Sequence, residues 1–396
     1  MSTSLNIVII GNGAAGISAA ETARKQDPDC QVTIIAKEDY RTYYRPAISK
    51  HLHGKIDENN FYLKSEKWYA ENKIRVLNGI EAEKIDLASQ TVLIPGKEIS
   101  WDRLILACGS NPFVPPIKNI DVEGVFTLRS YDDSLAIKEY VKSCKQGVVI
   151  GGGVLGLEAA WALKKTGIEM TVIEVAPRLL PVQLDQKGSD IFSDYVEKSG
   201  IKMICGEYGK EIGGENSVSS VLTSGGRELP ADFAIISAGV RSETSLAQAA
   251  GLAVDKGIKV DRQMRTSQSN VFAAGDCAQL PKAVPLIWPV AKQMGQIAGA
   301  NSLGQEKTFK IREYPIFFEG MGTTIFSVGD LGRDEKIDYE IWERAEKGNL
   351  YEKAYFKDGK LCGGILVGES SLVKVIMPGL LQKMEKEEFL NKVEQI

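Results

Sequence analysis

Asn6-Ile7-Val8-Ile9-Ile10-Gly11-Asn12-Gly13-Ala14-Ala15-Gly16 opens the chain and decides its fold. The first five residues form an apolar, β-branched run, the signature of a strand buried on both faces. A helical stretch follows over residues 17–25, and Val32-Thr33-Ile34-Ile35-Ala36 is the next strand. Strand, glycine turn, helix, strand is the context that gives Gly11-x-Gly13-x-x-Gly16 a chemical meaning. The first glycine permits a tight turn. The second lets the backbone approach a pyrophosphate. The third lets the helix pack close to the strand. The phosphates then face the helix N-terminus, where free N–H groups and the helix dipole favour anions. Gly11, Gly13, Ala14, Ala15 and Gly16 are the candidate contacts.

The same unit is written again further on. Gly147-Val148-Val149-Ile150 is a strand, Gly151-Gly152-Gly153-Val154-Leu155-Gly156 the turn, residues 157–165 an Ala-rich helix, and Thr171-Val172-Ile173-Glu174 the next strand. Gly151, Gly153, Val154, Leu155 and Gly156 are its candidate contacts. A carboxylate at Glu174, ending the following strand, accepts hydrogen bonds from a ribose diol and repels a 2′-phosphate, which favours NAD over NADP. Arg178 reads as a solvated loop charge. Two dinucleotide sites in one chain suggest that one nucleotide supplies hydride and the other, if a flavin, accepts it.

Composition narrows the alternatives. The chain has 396 residues, 43% hydrophobic and 25% charged, with formal net charge −4. Its length fits two to three domains. These values exclude a disordered or collagen-like chain and argue against a large basic face for nucleic acid. No apolar run approaches the roughly 18–20 residues a membrane helix needs, and no signal peptide is legible at the N-terminus. Six cysteines are scattered without a Cys-x-x-Cys pair, and the only histidines are His51 and His53. Neither a zinc site nor a secreted disulfide framework follows, so no metal is expected and the setting reads as cytoplasmic. Both histidines read as solvent-facing loop residues.

Further strands appear at Phe233-Ala234-Ile235-Ile236-Ser237, closed by Gly239, and at Val271-Phe272-Ala273-Ala274-Gly275-Asp276, which leads to a helix over about residues 289–303. Beyond Arg312 the runs shorten and alternate, and residues 380–396 place Leu381, Met384, Phe389 and Val393 near one helical face. The expected fold class is α/β: two Rossmann-like dinucleotide-binding domains plus a small C-terminal α+β domain. The expected domains are a discontinuous FAD-binding one (1–115 and 245–311), an NAD-binding one (116–244) and the C-terminal one (312–396).

With these motifs in order, residues 5–310 resemble the FAD- and NAD-dependent pyridine-nucleotide oxidoreductases of the two-dinucleotide-fold type. Leu104-Ile105-Leu106-Ala107-Cys108-Gly109 looks like the family's "ATG" strand-turn with Cys for Thr. Arg129, in Leu128-Arg129-Ser130-Tyr131-Asp132-Asp133, is similar to the Arg that approaches the flavin. Val271 to Asp276 looks like the second FAD motif, whose Asp holds the ribityl chain. The resemblance implies cofactor contacts at Arg45, Lys50, Ala82, Ala107, Gly109, Arg129, Gly239, Gly275, Asp276 and Trp288. It also implies that Lys50 and Glu158 meet near flavin N5. The family acid for the FAD adenosine ribose would fall at Ala36, so Glu38, beside Lys37, is the substitute.

Disulfide reductases of this type carry two cysteines after the first unit; peroxidases and water-forming oxidases carry one. Tyr43-Tyr44-Arg45-Pro46-Ala47-Ile48-Ser49-Lys50 has none, and Pro46 occupies the single-cysteine position. A thiolate or sulfenate relay is unavailable there. The segment instead looks like NADH:rubredoxin oxidoreductases, ferredoxin reductases and the flavin part of assimilatory nitrite reductases. Tyr355 to Gly364 favours the rubredoxin-reductase group. The implied function is electron transfer from NADH through FAD to rubredoxin or another small iron or iron–sulfur carrier. The alternatives are an NADH oxidase or peroxidase, or a reductase component for ferredoxin or nitrite reduction. A non-catalytic sensor is disfavoured by two intact fingerprints. Lys282 and Lys292, flanking Pro285-Leu286-Ile287-Trp288, are the candidates to steer an acidic partner. Monomer and homodimer both stay open.

Overall fold

A computed structural model describes residues 4–55, 57–346 and 350–396. The chain divides into two compact units, residues 1–47, 55–111 and 240–311 in one and residues 48–54, 112–239 and 312–396 in the other. The C-terminal region therefore belongs to the same compact unit as the second glycine turn, and so does the short segment 48–54.

The first unit is built on a five-stranded parallel sheet, ordered Val271–Ala273, Arg103–Leu106, Asn6–Ile10, Gln31–Ile35 and Ile74–Leu77. Ile7, Val8, Ile9, Leu104, Ile105 and Leu106 are completely buried, as parallel strands covered on both faces require. The helix Ala14–Gln26 lies against Trp288–Asn301. Contact is close because a Cβ at Gly295 would meet Ala15 O at 2.1 Å, and one at Gly299 would meet Ala19 O at 2.3 Å. A three-stranded antiparallel sheet, Lys84–Asp86, Thr91–Ile94 and Lys97–Ser100, completes this unit.

The second unit repeats the scheme. Its parallel sheet runs Lys202–Cys205, Glu169–Glu174, Gln146–Ile150, Phe233–Ile236 and Val125–Thr127. The C-terminal region adds a five-stranded antiparallel sheet in the order Ile316–Gly320, Thr323–Gly329, Lys360–Val367, Leu350–Lys357 and Glu340–Glu346. Asp358 and Gly359, at φ 53° and 72°, make the tight turn between two of these strands, the left-handed pair that Asp-Gly favours in hairpins. The apolar face of this sheet closes on two helices through Phe326, Phe356, Leu366, Ile376 and Phe389.

The single helical face expected over 380–396 is split. Helix Val373–Gln382 ends at Lys383, whose φ of 52° is left-handed, and Lys386–Val393 starts anew. Of the four residues, Met384, Phe389 and Val393 are buried after the break, whereas Leu381, before it, is 73% exposed, because the first helix buries Val375, Ile376 and Gly379 instead. Among the described residues, no helix is long and apolar enough to cross a membrane.

Candidate functional site

The two glycine turns are structural copies. Gly11 has φ +108° and a Cβ there would lie 2.1 Å from Ala107 O; Gly151 has φ +123°, with the Cβ 2.2 Å from Ser237 O. The third glycines are equally tight, since a Cβ at Gly16 or Gly156 would sit 1.9 or 2.0 Å from the carbonyl of the first glycine. Gly13 and Gly153 differ. Each lies in ordinary extended backbone, φ −82° and −78°, and a Cβ at either meets nothing within 4 Å. No protein packing excludes a side chain at these two positions. Each is also the N-cap of its helix, Ala14–Gln26 or Val154–Lys164, with no side-chain cap. The first-turn N–H groups thus lack a side-chain cap, the arrangement that accepts a phosphate.

The surroundings of each turn suit a dinucleotide. Beside the first turn is a cavity of about 280 Å³ lined by Asn12, Arg41, Glu66, Tyr69 and Asn78 among others. Asn12 Oδ1 and Nδ2, Asn78 Oδ1 and nearby Thr42 Oγ1 are buried without a hydrogen-bond partner. Such orphaned groups call for water or a polar ligand. Ala107 lies at the strand end, its N–H bonded to Ile10 O at 2.8 Å, and Gly109 follows with φ +78°. Ser110 Oγ donates to Asp276 Oδ2 at 2.8 Å, and Ser242 Oγ donates to Asp276 O at 2.6 Å. Gly275, at φ +80°, sets Asp276 at the turn and brings the chain against Ala15. Ala82 is buried in the loop before Lys84–Asp86. Glu38 accepts from Tyr43 Oη and Arg45 Nη2, both at 2.5 Å, while Lys37 pairs with Glu81 at 2.8 Å. Arg45 and Glu38 are therefore partners of one another, a link the sequence did not reveal. Tyr43 is buried and stacks on Phe61 at 4.8 Å, whereas Tyr44 is exposed and meets Trp288 edge-on at 5.3 Å.

In the second unit, Glu174 is buried, and its Oε2 and Oε1 accept the N–H groups of Gly152 and Ala176 at 2.7 and 2.8 Å. The carboxylate braces the glycine turn and keeps further lone pairs for a ribose diol. Arg178 departs from the expected solvated charge. It is half-buried, with its Nε buried and unpartnered and its Nη2 3.4 Å from Pro181 O. Gly239 has φ +97°, and its carbonyl accepts the Phe113 N–H. Arg129 lies in this unit, its N–H bonded to Asp133 Oδ2 at 2.7 Å at the capping box of helix Tyr131–Tyr140.

Glu158 and Lys50 line one cavity of about 460 Å³ together with Ser49, Trp161, Lys165 and Met321. The expected direct pair of Lys50 with Glu158 is replaced by Ser49, whose Oγ donates to Glu158 Oε2 at 2.8 Å. Burial raises the Glu158 carboxyl above its ordinary range, against the opposing effects of Ser49 and the nearby Lys50 charge. Lys50 itself is exposed. The one-position shift follows from the short helix Ile48–His51, which turns Ser49 inward. His51 also corrects its expectation. It is 6% exposed, with Nδ1 2.9 Å from Ser134 Oγ, and burial followed by the Lys138 charge lowers its pKa to about 4. His53 is exposed, as expected.

All six cysteines are free, and burial raises every one of their thiol pKa values, Cys277 and Cys362 to about 11. None is poised as a thiolate. Among the described residues, no group of three His, Cys, Asp or Glu could hold a metal.

Comparison with known proteins agrees with this geometry. The sequence pattern of pyridine nucleotide-disulphide oxidoreductases matches residues 5–295, and that of the rubredoxin NAD+ reductase C-terminal domain matches residues 318–384. The chain is 30% identical over 371 residues to an NADH-rubredoxin oxidoreductase of Clostridium acetobutylicum, covering 93% of this chain and 92% of that protein. It is 31% identical over 369 residues to a nitrite reductase [NAD(P)H] of Bacillus subtilis, covering 92% of this chain and 46% of the relative, so it spans about half the length of that protein. A ferredoxin reductase from Rhodopseudomonas palustris superimposes with a TM-score of 0.87 at 26% identity, covering 98% of this chain and 99% of that one. With two copies of the dinucleotide turn and a matching pattern over most of its length, the chain belongs to the pyridine nucleotide-disulphide oxidoreductase family.

Proposed function

We propose that the protein is an NADH-dependent FAD flavoprotein reductase that hands electrons to a small one-electron carrier, rubredoxin first among them. The observation that carries this reading is the pair of open middle glycines, Gly13 and Gly153, each at an uncapped helix N-terminus. One turn takes FAD, with Gly11, Gly13, Ala14, Ala15 and Gly16 at its pyrophosphate and Asp276 at its ribityl chain. The other takes NADH, with Gly151, Gly153, Val154, Leu155 and Gly156 at the phosphates and Glu174 at the ribose diol. Bound FAD supplies the ability to accept two electrons together and release them singly.

The residues of the chain then have distinct tasks. Glu174 holds the Gly152 N–H and the diol together, so the turn and the nucleotide share one anchor. Glu158, held by Ser49, shares a cavity with Lys50, whose positive charge opposes the burial that raises the Glu158 carboxyl. A Lys⁺ there favours negative charge on a reduced ring system. Arg45 and Arg129 are assigned to phosphate or ring oxygens, which suit a guanidinium. The absence of cysteine at Pro46, with six thiols held neutral, supports electrons leaving the flavin directly.

A carrier protein rather than a small disulfide is the acceptor this favours, on a transient surface of less than about 1,200 Å². Tyr44 and Leu286 are exposed apolar residues beside Trp288, and Lys282 and Lys292 are exposed on the same stretch. The test is kcat/KM for rubredoxin, ferredoxin, O₂ and disulfide substrates, measured side by side. Fast turnover of an iron protein supports the proposal; fast disulfide turnover with negligible activity toward every iron protein sinks it.

A further inference from the structure

Residues 175–185 join the strand that ends at Glu174 to the helix Gln186–Lys198. They form a wall behind the second glycine turn. A Cβ at Gly152 would meet Leu179 Cδ2 at 2.8 Å, and the Leu180 N–H points to Gly152 O at 3.4 Å. Leu179, Leu180 and Leu184 are completely buried. Leu180 holds a left-handed φ of 47°, and its carbonyl accepts the N–H groups of Gln183 and Leu184 at 2.9 Å. A non-glycine residue stays in that conformation only where its surroundings over-determine it.

Much of that determination comes from the far end of the chain. The Arg333 guanidinium donates to Pro181 O at 3.2 Å and also to Val182 O. Asp185 Oδ2 accepts from Tyr351 Oη and from Lys353 Nζ, each at 2.7 Å, while its Oδ1 caps the next helix through the Gly188 N–H at 2.9 Å. Ser189 adds one bond from within the helix, to Leu179 O at 2.9 Å. Val175 and Val182 are 67% and 63% exposed, so the outer side of the loop has no packing of its own. A continuous line of contacts thus runs from the C-terminal sheet through 181–185 and Leu179–Leu180 to Gly152 and Glu174.

We infer that the C-terminal sheet is a positioning element for the second nucleotide. Arg333, Tyr351 and Lys353 hold residues 175–185, which in turn fix the Gly152 turn and the Glu174 carboxylate. None of the three touches the nucleotide in this scheme. The inference rests on the assignment of that turn to NADH. It makes Arg333, Tyr351 and Lys353, outside both dinucleotide folds, determinants of nucleotide affinity.

The test uses the FAD-loaded protein and three variants: Arg333→Ala at an exposed position, the double Tyr351→Phe/Lys353→Met, and the conservative Lys353→Arg. NADH affinity is read by tryptophan fluorescence, kcat and KM by steady-state kinetics, and loop order by the rate of tryptic cleavage after Arg178. Arg333→Ala and the double variant should raise Kd and KM for NADH about three- to tenfold with kcat within about twofold, the size expected of coupling through packed contacts. Cleavage after Arg178 should accelerate to a similar extent, and Lys353→Arg should retain most of the affinity. A lower melting temperature with unchanged Kd and unchanged cleavage in both variants overturns the inference. If the unmodified protein binds no NADH, the functional proposal fails, and the cleavage rates still decide whether the C-terminal residues order the loop.

Discussion

Alanine at the three glycines of each turn should separate folding from ligand binding. Gly153→Ala is the informative case. Its φ of −78° suits any residue, and the added Cβ meets no protein atom within 4 Å. Lower entropy of the unfolded chain stabilises the substitution by about 0.4–1 kcal/mol. Alanine is a poorer N-cap than glycine by a comparable amount. The two effects leave the apoprotein within about 1 kcal/mol of its original stability. The same methyl group stands where a phosphate approaches the helix N-terminus. Loss of one charge-assisted hydrogen bond costs about 1.5–3 kcal/mol, or roughly 10- to 150-fold in NADH affinity. Gly13→Ala should do the same to FAD retention. Gly11→Ala and Gly151→Ala, facing a carbonyl at 2.1–2.2 Å with positive φ, should instead fail to fold. Melting temperature of the apoprotein, FAD content and an NADH titration read the three outcomes. Wild-type NADH affinity in Gly153→Ala would refute the reasoning, and so would a collapse of its apoprotein stability.

Other expectations follow from individual groups. His51 is held neutral with a pKa of about 4, against an ordinary 6.5, so the unfolded chain binds its proton first. Its contribution to stability is complete above about pH 6.5 and is lost as pH falls towards 4, by about 3 kcal/mol. His51→Phe should flatten the melting-temperature profile across that window; an unchanged slope contradicts the assignment. Glu174→Ala should weaken NADH binding and narrow its advantage over NADPH, by about 1–3 kcal/mol for a buried charge-assisted contact. Equal kcat/KM for both nucleotides in the unmodified protein would contradict it. Lys282→Glu with Lys292→Glu should slow reduction of an acidic carrier through kon, more at low salt, and leave reduction of FAD by NADH unchanged. Alkylation of accessible thiols at neutral pH should leave turnover intact, because burial keeps all six thiols protonated.

Both parallel sheets and both glycine turns were legible because β-branched runs and glycine spacing are local signals. Gly13 and Gly153 could be named from the sequence, and the structure adds that the space beside them is empty of protein. What could not be read was which neighbour closes each contact. The sequence pointed to Lys50 for Glu158, whereas the short helix turns Ser49 inward. It placed His51 in solvent because neither burial nor Ser134, far along the chain, has a local signature. Glu38 with Arg45, and Asp185 with Tyr351 and Lys353, are likewise tertiary pairs without periodicity. The helix break at Lys383 was hidden because Leu381, though apolar and at helical spacing, is exposed, and Lys383 carries no glycine or proline signal for its left-handed turn.

Anaerobic stopped-flow spectroscopy of the purified protein, loaded with FAD, tests the central claim most directly. Mixed with NADH, the flavin absorbance should bleach, faster than with NADPH, and should return on a second mix with oxidised rubredoxin. A protein that retains no FAD after supplementation, or whose flavin absorbance is unmoved by NADH, would contradict the account.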